Sequence, residues 1–148
     1  MVRKCSLALL AMALVLPSGC SSGRCTVTGT VTYDDGTPVE SGIVIGDATV
    51  DGKPVSVQGT IRNGAFSWGG AKEGDGALPG QYKVIVVPPA LSEYQQSQGM
   101  VPAIAGKFGK YETSGLAFEV KPGKNEFNIT VTRPKPRKGE PAPAAPNG

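Results

Sequence analysis

The chain has 148 residues, a formal net charge of +3 and no histidine. Its length predicts a single domain with a hydrophobic core of its own. Without histidine, Ser–His and Cys–His nucleophile pairs and histidine-based metal sites are excluded. With 21 glycines, 13 prolines and few aromatic residues, the composition favours a β-rich domain with many tight turns.

The positive charge is concentrated at the two ends of the sequence. Arg3 and Lys4 lie near the start, and the tail 133–148 carries four cations against the single acid Glu140. The segment 20–132 between them has a net charge of about −2. Nucleic-acid binding needs a basic face on the folded part, so no nucleic-acid partner is predicted.

The first 19 residues have the order of an export signal. Arg3 and Lys4 precede the uncharged apolar run 6–16, and small residues follow it. This run is too short to span a bilayer, which needs about 20 apolar residues. Residues 1–19 are therefore predicted to be a signal peptide that is removed on export.

Cys20 directly follows this segment, at the position that is cut and acylated in bacterial lipoproteins. The match to that lipobox is partial, because Pro17 stands where leucine is usual. We expect lipidation of Cys20, with residues 20–25 as a tether to the membrane. The alternative is ordinary cleavage near Gly23, which gives a soluble secreted protein. If Cys20 is not acylated, a Cys20–Cys25 disulfide suits an oxidising compartment.

The rest of the chain predicts β-strands separated by turns. Thr26–Tyr33 alternates strictly between apolar and polar positions, and 82–87 is apolar nearly throughout, as expected of a strand covered on both faces. Asn63-Gly64 predicts a two-residue hairpin turn, 47–54 a loop or hairpin tip, and 90–113 an irregular segment with one helical turn. The predicted strands are 26–33, 42–45, 55–61, 65–68, 82–87, 116–120 and 126–132.

Seven strands at this spacing, without a helical period, favour a single antiparallel β-sandwich over 26–132, of transthyretin-like or immunoglobulin-like type. The tail 133–148 contains five prolines from Pro134 onward and is predicted to be a disordered, basic, Pro-rich extension.

Two clusters of residues carry a resemblance to a known family. The segments 27–44 and 79–86, with Asp35-Gly36-Thr37-Pro38 and Pro79-Gly80-Gln81-Tyr82, resemble carboxypeptidase regulatory-like domains. The segments 101–108 and 113–125 resemble the C-terminal half of short exported lipoproteins of planctomycete bacteria, although the stretch 103–106 has no counterpart there. The resemblance implies export and a transthyretin-like sandwich, and it supplies no catalytic residues.

Two kinds of ligand site were considered. Asp34, Asp35, Asp47 and Asp51 lie near turns and are the only acids that might converge on calcium, but there is no DxDxDG loop. For sugars, the candidate contacts are aromatic residues: Trp68, Tyr94 and Tyr111. Trp68 shares its strand parity with Phe66, which favours a core position instead.

The sequence thus predicts an exported, lipid-anchored protein of the cell envelope that is not an enzyme. No cofactor, metal set or nucleophile–base pair is predicted. Its β-sandwich is expected to act as a structural or protein-interaction module, with membrane lipid held through Cys20 and envelope proteins as partners. The alternative is a carbohydrate-binding module that uses its loop aromatics to bind glycans.

Overall fold

A computed structural model describes residues 23–135, so the predicted signal peptide, Cys20 and the tail beyond Lys135 lie outside the described residues. The described chain is mostly β, and all seven predicted strands are present. They are β1 (Val27–Tyr33), β2 (Ser41–Val50), β3 (Lys53–Arg62), β4 (Ala65–Ser67), β5 (Gly80–Val87), β6 (Leu116–Val120) and β7 (Asn125–Val131).

Two tight hairpin turns set the register of β2, β3 and β4. Asn63 and Gly64 have φ of 48° and 83°, as the predicted Asn-Gly turn requires. Asp51 and Gly52 have φ of 50° and 73° and form a second turn of the same kind. The predicted loop or hairpin tip at 47–54 is therefore a tip of only two residues, and β2 pairs with β3 from Ser41↔Arg62 to Val50↔Lys53.

The strands form one mixed sheet in the order β6-β5-β2-β3-β4-β1-β7. All pairs are antiparallel except β1–β7, which is parallel over its whole length from Val27↔Asn125 to Tyr33↔Val131. The predicted antiparallel β-sandwich is thus confirmed only as a β-rich domain of seven strands, because the strands form one mixed sheet that is parallel at this pair. The turn 121–124 does not pair β7 with β6. It carries the chain across the end of the core, where β7 joins β1 in the same direction.

The sheet curls so that its two end strands, β6 and β7, approach each other and nearly close a barrel. Phe118 of β6 stacks on Phe127 of β7, with ring centroids 4.3 Å apart, in place of a backbone ladder. Gly29 permits a second close approach, because a Cβ there would lie within 2.8 Å of both the Phe127 backbone oxygen and the Phe66 ring. Glycine within a strand often marks such a close approach of a neighbouring backbone.

β5 lies at the centre of the packing. Tyr82, Val84 and Val86 are at most 1% exposed, and Ile85, which alternates with them, is 8% exposed. The predicted burial on both faces holds only for the second half of the strand, because Lys83 is exposed on the face that carries Ile85. The Tyr82 hydroxyl donates to the Leu78 carbonyl oxygen at 3.0 Å, so its buried ring carries no unpaired polar group.

The segment between β5 and β6 contains three short helical elements. These are α1 (Glu93–Ser97), a 3₁₀ turn (Gly106–Gly109) and α2 (Tyr111–Ser114). The 3₁₀ turn and α2 pack against β5, and the Ser114 hydroxyl donates to the Val84 carbonyl oxygen at 2.7 Å. Ile104, from the stretch 103–106 that departs from the family pattern, is 1% exposed and belongs to the core.

The barrel has two distinct ends. At the N-terminal end the chain enters β1 after Cys25, and the turns at 51–52 and 121–124 lie at the same end. At the opposite end β1, β5 and β7 finish at Tyr33, Val87 and Val131. β1 has seven residues, which at about 3.3 Å per residue separates the two ends by roughly 23 Å.

Candidate functional site

The three aromatic residues considered as ligand contacts are not brought together. Trp68 is 0% exposed and packs in the core, so it presents no face on which a sugar ring could stack. Tyr94 is 73% exposed on α1. Tyr111, at the start of α2, is partly buried beside Asp47. Burial and the neighbouring Asp47 carboxylate raise the pKa of Tyr111, so its hydroxyl stays protonated at neutral pH.

The four aspartates considered for calcium do not converge. Asp34 and Asp35 follow β1 at one end of the barrel, whereas Asp51 lies in the turn after β2 at the other end. Within residues 23–135, no group of three or more Cys, Asp or Glu side chains is placed to hold a metal ion. Asp34, Asp35 and Asp51 are turn residues, and Asp47 lies within β2.

Cys25 lies at the entrance to the fold. Its backbone N–H donates to the Ala77 oxygen at 2.7 Å, and Ala77 N–H donates back at 2.9 Å. Its side chain is 5% exposed within the core and forms no disulfide among residues 23–135. The first backbone pairing of the fold is therefore five residues after Cys20, and Cys20 itself lies outside the described residues.

A groove lies at the end of the barrel opposite Cys25. We define the groove by three stretches: Tyr33 with 37–41, the segment 89–103 after β5, and 133–134. Its volume is about 540 Å³, within the range of about 300–1,000 Å³ usual for ligand sites. Pro89, Leu91, Val101 and Met100 give it an apolar wall, and Met100 is 53% exposed.

Arg133 forms the polar side of the groove. Its guanidinium lies 3.8 Å from the Tyr33 ring centroid, donates to Asp35 Oδ2 at 2.7 Å and donates to Thr37 Oγ1 at 3.0 Å. The Tyr33 hydroxyl donates to the Ala103 oxygen at 3.3 Å, across the groove. These contacts join the β1–β2 connection, the segment after β5 and the end of β7 at one place.

The charges in this cluster are mutually supporting. Hydrogen bonds from the Thr37 hydroxyl and backbone N–H, followed by that from Arg133, lower the pKa of Asp35 to about 2. Burial raises the pKa of Tyr33, against the opposing effect of Arg133. At neutral pH the cluster is therefore an ionised Asp35 paired with Arg133, beside a neutral tyrosine.

The Asp35–Arg133 pair predicts a specific acid dependence of stability. Because the pKa of Asp35 is lowered on folding, its contribution is present above the unfolded value of about 4 and is lost as pH falls towards 2. We expect Asp35→Asn to lower the Tm slightly at pH 6, with the difference from wild type shrinking between pH 4 and pH 2. Thermal unfolding followed by circular dichroism measures this. Asp34→Asn is the control, and an equal, pH-independent effect of both variants would contradict the account.

A local sequence pattern indicates one part of the groove, although the predictions above do not include it. Ser92 and Gln95 form a capping box at the start of α1: Ser92 Oγ accepts from Gln95 N–H at 3.2 Å, and Gln95 Oε1 accepts from Ser92 N–H at 2.9 Å. The pattern Ser-x-x-Gln predicts such a start. It places Gln95 in the groove wall and leaves Tyr94 exposed on the same short helix.

A scan against protein-family models finds no match, and searches of curated proteins and of solved structures find none. The resemblance described above therefore stays a prediction. Within residues 23–135, no helix is both long enough and apolar enough to cross a bilayer.

Proposed function

We propose that this protein is an exported lipoprotein of the cell envelope, anchored through acylated Cys20. Its β-domain, which we assign to the transthyretin-like, carboxypeptidase regulatory-like kind, acts as a non-catalytic protein-interaction or structural module. The observation that carries the proposal is the position of the groove, at the end of the barrel opposite the point where the chain enters the fold.

The geometry gives such a protein a defined orientation. Cys20 precedes Cys25 by five residues, which span at most about 18 Å. Cys25 is fixed to Ala77 by two backbone hydrogen bonds, and Arg24 donates to the Gly76 oxygen at 3.1 Å. A lipid on Cys20 would therefore hold the N-terminal end of the barrel close to the membrane. The groove would face away from it, at a distance set by the length of β1.

The groove has the chemistry of a surface for an extended peptide. Apolar side chains from 89–103 form one wall, and polar groups of Glu40, Ser41 and Arg133 lie among them. Recognition grooves for peptides combine apolar contact area with a few fixed polar groups in this way. The proposed partner is a segment of another envelope protein.

Glycan binding remains a second candidate on one observation, the 73% exposure of Tyr94 beside the groove. An exposed aromatic ring is the usual platform for a sugar. The buried Trp68 cannot contribute to it, and Tyr111 does not line the groove. A glycan site here would thus rest on a single ring.

The test is photo-crosslinking of the anchored protein in its own envelope. A photoreactive residue at Met100, in the groove, is expected to give discrete adducts with envelope proteins. The control is the same residue at Thr60, which is exposed on β3 and does not line the groove. Identical adduct patterns at both positions would refute the groove as the interaction site. Adducts with glycan alone, lost in Tyr94→Ala, would favour the second candidate.

A further inference from the structure

We propose that the groove is a docking site for the chain's own C-terminal tail, residues 136–148, when no partner is bound. This inference rests on the proposed function of the groove and adds a competitor for it. The occupant is intramolecular, and it would have to leave before an envelope partner could enter.

The described part of the chain ends beside the groove. Arg133 and Pro134 line the groove, and the cation–π contact with Tyr33 and the bonds to Asp35 and Thr37 fix Arg133 there. The tail therefore leaves the fold at the groove itself. Its 13 residues would reach about 40 Å at 3.1 Å per residue.

The groove and the tail carry charges of opposite sign. Glu40 lines the groove and forms no salt bridge among the described residues, whereas Arg133 is already paired with Asp35. The tail brings Arg137 and Lys138 within three or four residues of Pro134. Three extended residues cover about 9 Å, and the tail starts from Pro134, which lines the same groove as Glu40.

The composition of the tail beyond these cations suits an apolar groove. Gly139 allows a change of direction, and the run 141–146 (PAPAAP) is apolar and rich in proline. Such segments favour an extended conformation before binding, so little conformational entropy is lost when they enter an apolar groove. A short tether also gives the tail an effective concentration of about 1 mM, which makes a weak contact sufficient.

The experiment uses the purified full-length mature chain with a photoreactive residue at Ala144, without membrane or partner. We expect intramolecular crosslinks that map to 89–103. Glu40→Arg should reduce them by about two- to fivefold, the range for a surface ion pair. The double change Arg137→Glu/Lys138→Glu on the Glu40→Arg background should restore them. Glu112→Arg, an exposed acid outside the groove, is the matched control and should have no effect.

Two results would overturn the proposal. One is crosslinks scattered over the surface without preference for 89–103, with no response to the charge swap. The other is crosslinks found only in covalent dimers, which would place the tail in the groove of a second copy. Because no partner is present, failure here leaves the adducts at Met100 in the envelope unaffected, and the two proposals fail separately.

Discussion

Replacing Cys20 with alanine is expected to abolish incorporation of fatty acid into the protein. If Cys20 is the acylated residue, the variant has no thiol at the processing site and cannot receive a lipid. Metabolic labelling with an alkyne fatty acid, followed by immunoprecipitation, should show signal at background level for Cys20→Ala and strong signal for wild type. This readout holds whether or not the signal peptide is still removed from the variant.

Cys5→Ser provides the matched control, because Cys5 lies within the predicted signal peptide and leaves with it. This variant should keep full labelling. Label that persists in Cys20→Ala would place the lipid elsewhere. Wild-type protein without label would favour the alternative, ordinary cleavage and secretion.

Replacing Trp68 with alanine is expected to lower the free energy of unfolding by about 3–5 kcal/mol, the usual cost of removing a buried large aromatic side chain. Trp68 is 0% exposed, and its ring lies between the rings of Tyr82 at 5.4 Å and of Phe118 and Phe127 at 6.0 Å. It also fills the space above Gly46, where a Cβ would lie 2.8 Å from the indole. The alanine variant would leave a cavity that these neighbours cannot all fill.

Two variants control for this effect. Trp68→Phe should cost less than half as much, because Nε1 has no hydrogen-bond partner among the described residues and its removal loses no bond. Tyr94→Ala, at a 73% exposed position, should change stability by no more than about 0.5 kcal/mol. Urea unfolding followed by circular dichroism measures all three variants. Tryptophan fluorescence cannot serve for this, because Trp68 is the only tryptophan and is lost in two of them. Similar losses for Trp68→Ala and Tyr94→Ala would contradict the core assignment.

The strands could be predicted because their signals are local. Alternation over 27–33 and 126–131 marks strands with one buried face, and the apolar run 84–86 marks the part of β5 that is buried on both faces. Asn63-Gly64 specified its own turn through residues that tolerate positive φ. Asp51-Gly52 likewise tolerates positive φ and indicates a two-residue turn. The prediction of a loop or hairpin tip over 47–54 is broader than this turn.

The pairing of β1 with β7 could not be predicted in the same way. Nothing in the alternation of either strand states which neighbour it will have or in which direction. That choice depends on packing across the core, where Phe118 of β6 meets Phe127 of β7 through their rings and β7 forms its backbone ladder with β1. The parallel pair is a property of the assembled core.

The groove was missed for a related reason. Its walls come from Tyr33, from 89–103 and from Arg133, stretches far apart in the sequence. Arg133 was assigned to the tail by its composition, yet it is bound to Asp35 and Thr37 near the start of the fold. Of the groove's parts, only the wall at Gln95 is indicated by a local sequence pattern, the Ser92–Gln95 capping box. Trp68, in contrast, was placed in the core correctly by its parity with Phe66.

The measurement that tests the account most directly is the intact mass of the mature protein purified from its native membrane. If acylated Cys20 anchors the protein, the mature chain begins at Cys20 and carries a diacylglyceryl group there. An unmodified N-terminus at Arg24 or nearby, without lipid on Cys20, would contradict the anchored orientation and the outward-facing groove that follows from it.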